Sequence, residues 1–115
     1  MSLVWPNKDP DELLDYSVDW TAALGTLTIT NVAWSVRSTR YATEVPLAAG
    51  NTMTFGSGGV HIDGIQNISQ STVGKVAVIF IAGGTDRVDY TFVCTVTTSQ
   101  GTILQRSVIL RCRSV

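Results

Sequence analysis

The sequence predicts an all-β sandwich preceded by a short N-terminal arm, and three observations predict it. Beyond residue 20 the apolar residues recur at every second position, the period of a half-buried strand rather than of a helix. Turn residues interrupt that alternation at roughly the 8 to 12 residue spacing of sandwich strands. Hydrophobic residues make up 44% of the chain and charged residues 15%, a balance that supplies a core and argues against disorder. At 115 residues this reads as one sandwich, 15–115, with an arm, 1–14.

The arm begins the stretch "WPNKDPDELLDYSVDW", residues 5–20. Asp9 is a good N-cap, and Pro10 at N1 needs no N–H. Asp11 and Glu12 stand where the helix dipole favours acids, and Glu12 at N3 can reach back to the cap. "YSVDW" then returns to a two-residue period, with Tyr16, Val18 and Trp20 on one face. The stretch therefore predicts one helical turn feeding the first strand.

"TLTITNVAWSV", 26–36, alternates in one phase up to Ile29 and in another from Val32, which predicts a β-bulge near Asn31. "RYATEV", 40–45, is a weaker strand stopped by Pro46. "NTMTF", 51–55, and "VHIDGI", 60–65, flank "GSGG" as a hairpin. "KVAVIFIA", 75–82, is apolar on both faces and reads as a central strand. "VDYTFVCTV", 88–96, turns Val88, Tyr90, Phe92, Cys94 and Val96 one way. "TILQRSVILRCRSV", 102–115, points Val108, Leu110 and Cys112 inward and Arg111 and Arg113 outward.

About seven to eight strands in this length fit an immunoglobulin-like Greek-key sandwich best, with a small barrel as the alternative. Trp20, Trp34, Tyr90 and Phe92 are the expected structural core, with Tyr90 placed for a tyrosine corner or as an ordinary core tyrosine. Cys94 and Cys112 are expected as buried free thiols. A hairpin at Ser99–Gly101 separates them by about six residues of ladder, on the order of 20 Å, against the roughly 7 Å a disulfide spans.

Charge is uneven along the chain. Residues 1–20 hold five acids against Lys8, and the last fifteen hold Arg106, Arg111 and Arg113 with no acid. Either the two ends meet, or the arginines are a solvated edge-strand device. The net charge of −1 gives no basic field for nucleic acid and none of the charge of a membrane-surface binder. No apolar run reaches 18 residues, so no helical membrane span is expected. The first residues carry no basic segment followed by an apolar one, and synthesis in the cytoplasm is expected.

No site chemistry emerges. His61, the single histidine, shares a strand face with Asp63, but no nucleophile elbow accompanies them. "DPDELLD" fails the calcium-loop pattern at the third ligand and at the glycine, and zinc lacks ligands. "GSGG" and "AGG" lack the phosphate-cradle pattern. The chain is read as no enzyme, with no cofactor and no metal. The threonine ladders, Thr26/Thr28/Thr30 and Thr95/Thr97, suit exposed strands generally.

Four pieces of the sequence, "VWPNKDPDELLDYSVDWTAALG", "ITNVAWSV", "GGTDRVDYTFVCTVTTSQG" and "RSVILRCRSV", carry a family resemblance. The chain resembles small tailed-phage and prophage structural proteins known as fiber–tail adaptor or head–tail-associated proteins. The resemblance spans about residues 4–113 and departs most over 37–72. It implies a noncatalytic virion component, made in the bacterial host cytoplasm and assembled in several copies as a homo-oligomer on tail, neck or fibre proteins. On that expectation Trp5, Pro6, Leu13 and Leu14 of the arm dock on a neighbour, with Arg111 and Arg113 at the opposite end of the chain and sandwich edges adding strands. The alternative is a carbohydrate- or ligand-binding module of an adsorption apparatus, for which Tyr41 and Phe55 are the free aromatics.

Overall fold

The computed structural model of the chain describes residues 3–40, 42–47 and 64–114. Its elements run β1 (Leu3–Val4), β2 (Leu14–Asp19), α1 (Thr21–Leu24), β3 (Ile29–Ser38), β4 (Val45–Pro46), β5 (Ile65–Val73), β6 (Val76–Gly83), β7 (Asp89–Thr98) and β8 (Ile103–Arg111). They form two sheets, one of five strands in the order β1-β8-β7-β3-β4 and one of three in the order β2-β6-β5. This is an immunoglobulin-like sandwich: β2, β6 and β5 stand where strands B, E and D stand, and β3, β7 and β8 where C, F and G stand. All pairs are antiparallel except β1 with β8, which is parallel.

Alternation does most of the sorting. On β7, Tyr90, Phe92, Cys94 and Val96 are fully buried, and Val36, Val108 and Leu110 meet them from β3 and β8. Val18, Ala77, Ile79 and Ile81 close the core from the three-stranded sheet. Trp20, Trp34, Tyr90 and Phe92 all lie in this cluster. Tyr90 makes the corner bond of the fold, its hydroxyl accepting from the Thr85 amide at 2.9 Å. In antibody domains a disulfide cysteine stands two residues after that tyrosine. Here the position is Phe92, and both cysteines of the chain are free and buried. The inter-sheet staple is replaced by rings: Trp5 stacks on Tyr16 at 4.8 Å and tilts against Phe92 and Trp34 at 5.5 and 6.0 Å.

The bulge in β3 falls where the phase shift placed it, with Thr30 as the extra residue between the Ile29 and Asn31 pairings. Strand β6 is central in its sheet. Four expectations differ. Among the described residues of 40–45 only Val45 is in a strand, and Pro46 does not stop it: β4 is Val45–Pro46, and Pro46 pairs with Ser35, which an edge position tolerates. A four-residue helix, α1, follows Trp20, too short to leave a period in the sequence. Strand β5 carries Gln66, Asn67, Ser69, Gln70, Ser71 and Thr72, and its own bulge between Asn67 and Ser69 breaks the alternation. "DPDE" is a hydrogen-bonded turn rather than a helix: Glu12 N donates to Asp9 O, and Asp9 N to Glu12 Oε1, both at 3.0 Å. The 51–55 strand, most of the 60–65 strand, Tyr41, Phe55, His61 and Asp63 lie outside the described residues.

Candidate partner-binding surface

Leu3 to Trp5, with Lys8, are built into the edge of the five-stranded sheet. Leu3 and Val4 pair with Val108 and Ile109, Trp5 N donates to Ile109 O at 2.9 Å, and Lys8 bridges to Cys112. The two end segments do meet, through main-chain bonds and through Arg106: the hydrogen bonds from Thr21 lower the Asp19 pKa most, and the charge of Arg106 adds to them. Arg113 holds Asp89 Oδ1 at 2.8 Å, and Arg111 lies 3.7 Å from Oδ2 of the same carboxylate. Arg106 lies over the Trp20 ring at 4.7 Å and donates to Asp19 O.

Trp5 is a correction. It reads in sequence as a free anchor for a neighbour, yet it is only 8% exposed, and its indole N–H donates to Ser17 O across the sandwich at 3.0 Å. Pairing of β1 with β8 turns the ring inward, a placement that short-range periodicity cannot reveal. Pro6 remains exposed, its carbonyl accepting from Tyr16 OH at 3.3 Å. Leu13 is 55% exposed, whereas Leu14 is half-buried against the core. The six expected docking residues are thus dispersed: Trp5 inside, Leu14 partly inside, Pro6 and Leu13 outside, and Arg111 with Arg113 around Asp89.

Lys8, counted in the sequence only as a charge, is fully buried. Its ammonium donates to Gly83 O at 2.8 Å and Asp9 O at 2.9 Å, tying the arm to the end of β6. Burial lowers its pKa against the opposing pull of Cys112, Glu12, Asp9 and Asp11.

The outer face of the three-stranded sheet is the surface the sequence left unnamed. Register places Asp15, Phe80 and Ser69 in one row, Ser17, Val78 and Ser71 in the next, and Asp19, Val76 and Val73 in a third. The middle column, Val76–Val78–Phe80, is wholly apolar, with Phe80 38% and Val73 66% exposed. The signal for it was the two-faced apolarity of β6: one face feeds the core, and the other has no layer over it among the described residues. Leu13 precedes Asp15 by two residues and extends the same side.

Among the described residues, two clefts open on the five-stranded sheet. One, of about 360 Å³, is lined by Arg37, Ser38, Thr39, Asp89, Thr91 and Arg111, with Ala42 and Ile109. The second, of about 450 Å³, runs along β3 beyond the end of β4. Among the described residues no group of His, Cys, Asp or Glu could hold a metal ion, and no helix is long and apolar enough to cross a membrane.

The family model for the podophage GP4 fiber-tail adaptor protein gp77 matches residues 8–111, nearly the whole of this sandwich. The chain belongs to that family. The fiber-tail adaptor family is one of phage structural proteins, which makes this chain a phage structural component of the adaptor type. No curated protein matches it. The adaptor family's match begins at Lys8, so it includes the buried lysine, the acidic turn and all of the three-stranded sheet, but not Trp5.

Proposed function

We propose that this chain is a noncatalytic virion adaptor that docks on fibre and tail proteins through the exposed surfaces of its sandwich, after synthesis in the host cytoplasm and in several copies per particle. The observation that carries the docking is the apolar column Val76–Val78–Phe80, flanked by Val73 and Leu13 and by the carboxylates Asp15 and Asp19. Monomeric sandwiches normally turn polar residues outward on such a face. Contiguous exposed apolar residues rimmed by charge are the usual mark of a protein contact. Pro6, on the sheet edge, with Arg111 and Arg113, supplies further contacts. Trp5 acts at one remove, by holding β1 in place.

The test is Phe80→Lys together with Val78→Lys. Both positions face outward, so the chain folds, melts close to wild type and is lost from particles. Undiminished incorporation overturns this face as the docking surface. A second reading, a glycan-binding module, draws support from the hydrogen-bonding side chains of Arg37, Thr39, Asp89, Thr91 and Arg111 around one cleft. A glycan array without a hit removes it.

A further inference from the structure

Charges at one end of the sandwich are unevenly matched. All eight lysines and arginines of the chain lie among the described residues, so the partners of each can be followed. Lys8 turns inward to Gly83 O and Asp9 O, Lys75 donates to Gly25 O, and Arg106 lies on Trp20. Asp89 draws two arginines, Arg113 at 2.8 Å and Arg111 at 3.7 Å. Asp11 and Glu12, both exposed in the acidic turn, form an ion pair with none of the eight.

The surplus of cations sits at the 360 Å³ cleft, where Arg37 and Arg111 stand with Thr39, Thr91 and Ile109. Both guanidiniums are loosely held: Arg37 lies 3.5 Å from Glu44, and Arg111 3.7 Å from Asp89. Charge-assisted bonds run to about 2.7–2.9 Å, so these two are long. Exposed pairs of this kind contribute little and exchange partners cheaply. Since Arg113 already holds Asp89, three arginines face the two carboxylates Glu44 and Asp89. Val4, 53% exposed and in register with Ile109, gives the cleft an apolar margin. The acidic turn begins at the same end, because Arg113 N donates to Lys8 O at 2.9 Å.

We propose that the arginine cleft receives the acidic turn of a second copy of this chain, with Asp11 and Glu12 of that copy reaching Arg111 and Arg37. Charge complementarity within the one sequence identifies the occupant: acids without a cation and cations in surplus are carried by the same molecule. They cannot meet within one copy, because the Asp9–Glu12 bonds close the turn and Lys8 ties it to Gly83. Turn and cleft share an end of the sandwich, so a two-fold axis satisfies both at once, each turn on the other copy's arginines. The hydroxyls of Thr39 and Thr91 add donors for the incoming carboxylates. This deepens the several-copies part of the adaptor reading and rests on it. It assigns Arg111 to a contact between copies, on the opposite sheet from the Phe80 column.

The test is sedimentation equilibrium of the purified full chain at up to about 1 mM, a concentration that reveals weak pairing. Wild type pairs at about 10 mM salt, where charges act over roughly 30 Å, and separates at about 1 M, where they act over about 3 Å. Arg111→Glu alone weakens pairing about tenfold, and so does Asp11→Lys with Glu12→Gln. Glutamine keeps the acceptor for Asp9 N, and all three side chains are substantially exposed. An equimolar mixture of the two variants pairs again, since each acidic surface then faces a basic one. Phe80→Lys with Val78→Lys leaves pairing unchanged. A wild type that stays monomeric at low salt overturns the proposal and leaves the Phe80 docking standing. Pairing that ignores both salt and Arg111→Glu overturns it too, as does pairing abolished by the Phe80 and Val78 changes. Should either charge variant fail to fold by circular dichroism, the wild-type salt series decides. Absence of wild type from particles counts against the adaptor reading, whereas pairing is read without particles.

Discussion

The ring of Trp5 lies stacked on that of Tyr16, centroids 4.8 Å apart and planes inclined by 26°. The pair joins the first strand of one sheet to the first strand of the other, at the level where antibody domains place their disulfide. It is therefore a structural joint. Trp5→Ala is expected to cost about 3–5 kcal/mol, the range for truncating a buried aromatic. Urea denaturation measures it. A Trp5→Ala protein of wild-type stability that no longer binds its partner would restore Trp5 as an anchor.

Tyr90 places its hydroxyl on the Thr85 amide. Tyr90→Phe keeps the ring and removes the acceptor from a part-buried N–H. The expected loss is about 1–3 kcal/mol, the cost of an unsatisfied buried donor. Thermal melting of the variant reads it, and an unchanged midpoint would mean that the corner bond contributes nothing.

Gly84 admits no side chain. A Cβ there would lie 2.6 Å from Cys112 Sγ, on a backbone whose φ of +100° already disfavours L-residues. Gly84→Ala is expected to destabilise by about 1–3 kcal/mol through overpacking, with backbone strain adding to it. Gly84→Ala combined with Cys112→Ala should recover part of the loss, since the thiol is the nearest obstacle. No recovery would assign the cost to the backbone alone.

Alkaline pH should loosen the fold over a definable window. Burial raises the Cys94 thiol from 9.0 to about 11 and the Tyr16 phenol from 10.0 to about 12. A raised folded-state pKa contributes stability that is complete below the unfolded value and is lost as pH rises toward the folded one. These contributions accordingly fade between about pH 9 and 12. Lys8, lowered by burial, works in the opposite sense as pH rises toward 10.5. Urea midpoints for wild type should fall above about pH 9, and those of Cys94→Ala should fall less between 9 and 11. Parallel curves would contradict this. At pH 8 both thiols should resist Ellman's reagent until the protein unfolds, since both are fully buried.

The sandwich was legible wherever one face of a strand is apolar and the other polar. β7 satisfies that rule except at Val93, β8 satisfies it at Val108 and Leu110 but not at Ile103, Arg106 or Ile109, and β3 satisfies it in two phases joined by a bulge that the phase shift itself announced. β5 was illegible because it is an edge strand, polar over most of its length, with a bulge that reverses its parity. Trp5 misled for a related reason. Its environment is made by β8 and Tyr16, one distant in sequence and one on the other sheet, so no local window contains the cause of its burial. The acidic turn was read correctly in its bonds but not in its extent, since a reciprocal Asp9–Glu12 box closes a turn as well as it starts a helix. For the docking residues, composition picked out the exposed Pro6 and Leu13. The Phe80 column could have been named from β6, had its second apolar face been taken as unspent rather than as a sign of centrality.

The parallel pairing of Leu3 with Val108 also sets an order of events. More than a hundred residues separate these partners, and closing so long a loop is entropically the most expensive contact in the sheet. The hairpins β5–β6 and β7–β8 pair close neighbours and can form as soon as they are made. During synthesis β1 emerges before β8 and finds its seat only after β8 has been translated. Until then the Tyr16 ring lacks its cover, and the nascent chain carries an apolar slot that its own first tryptophan must reach before anything else does.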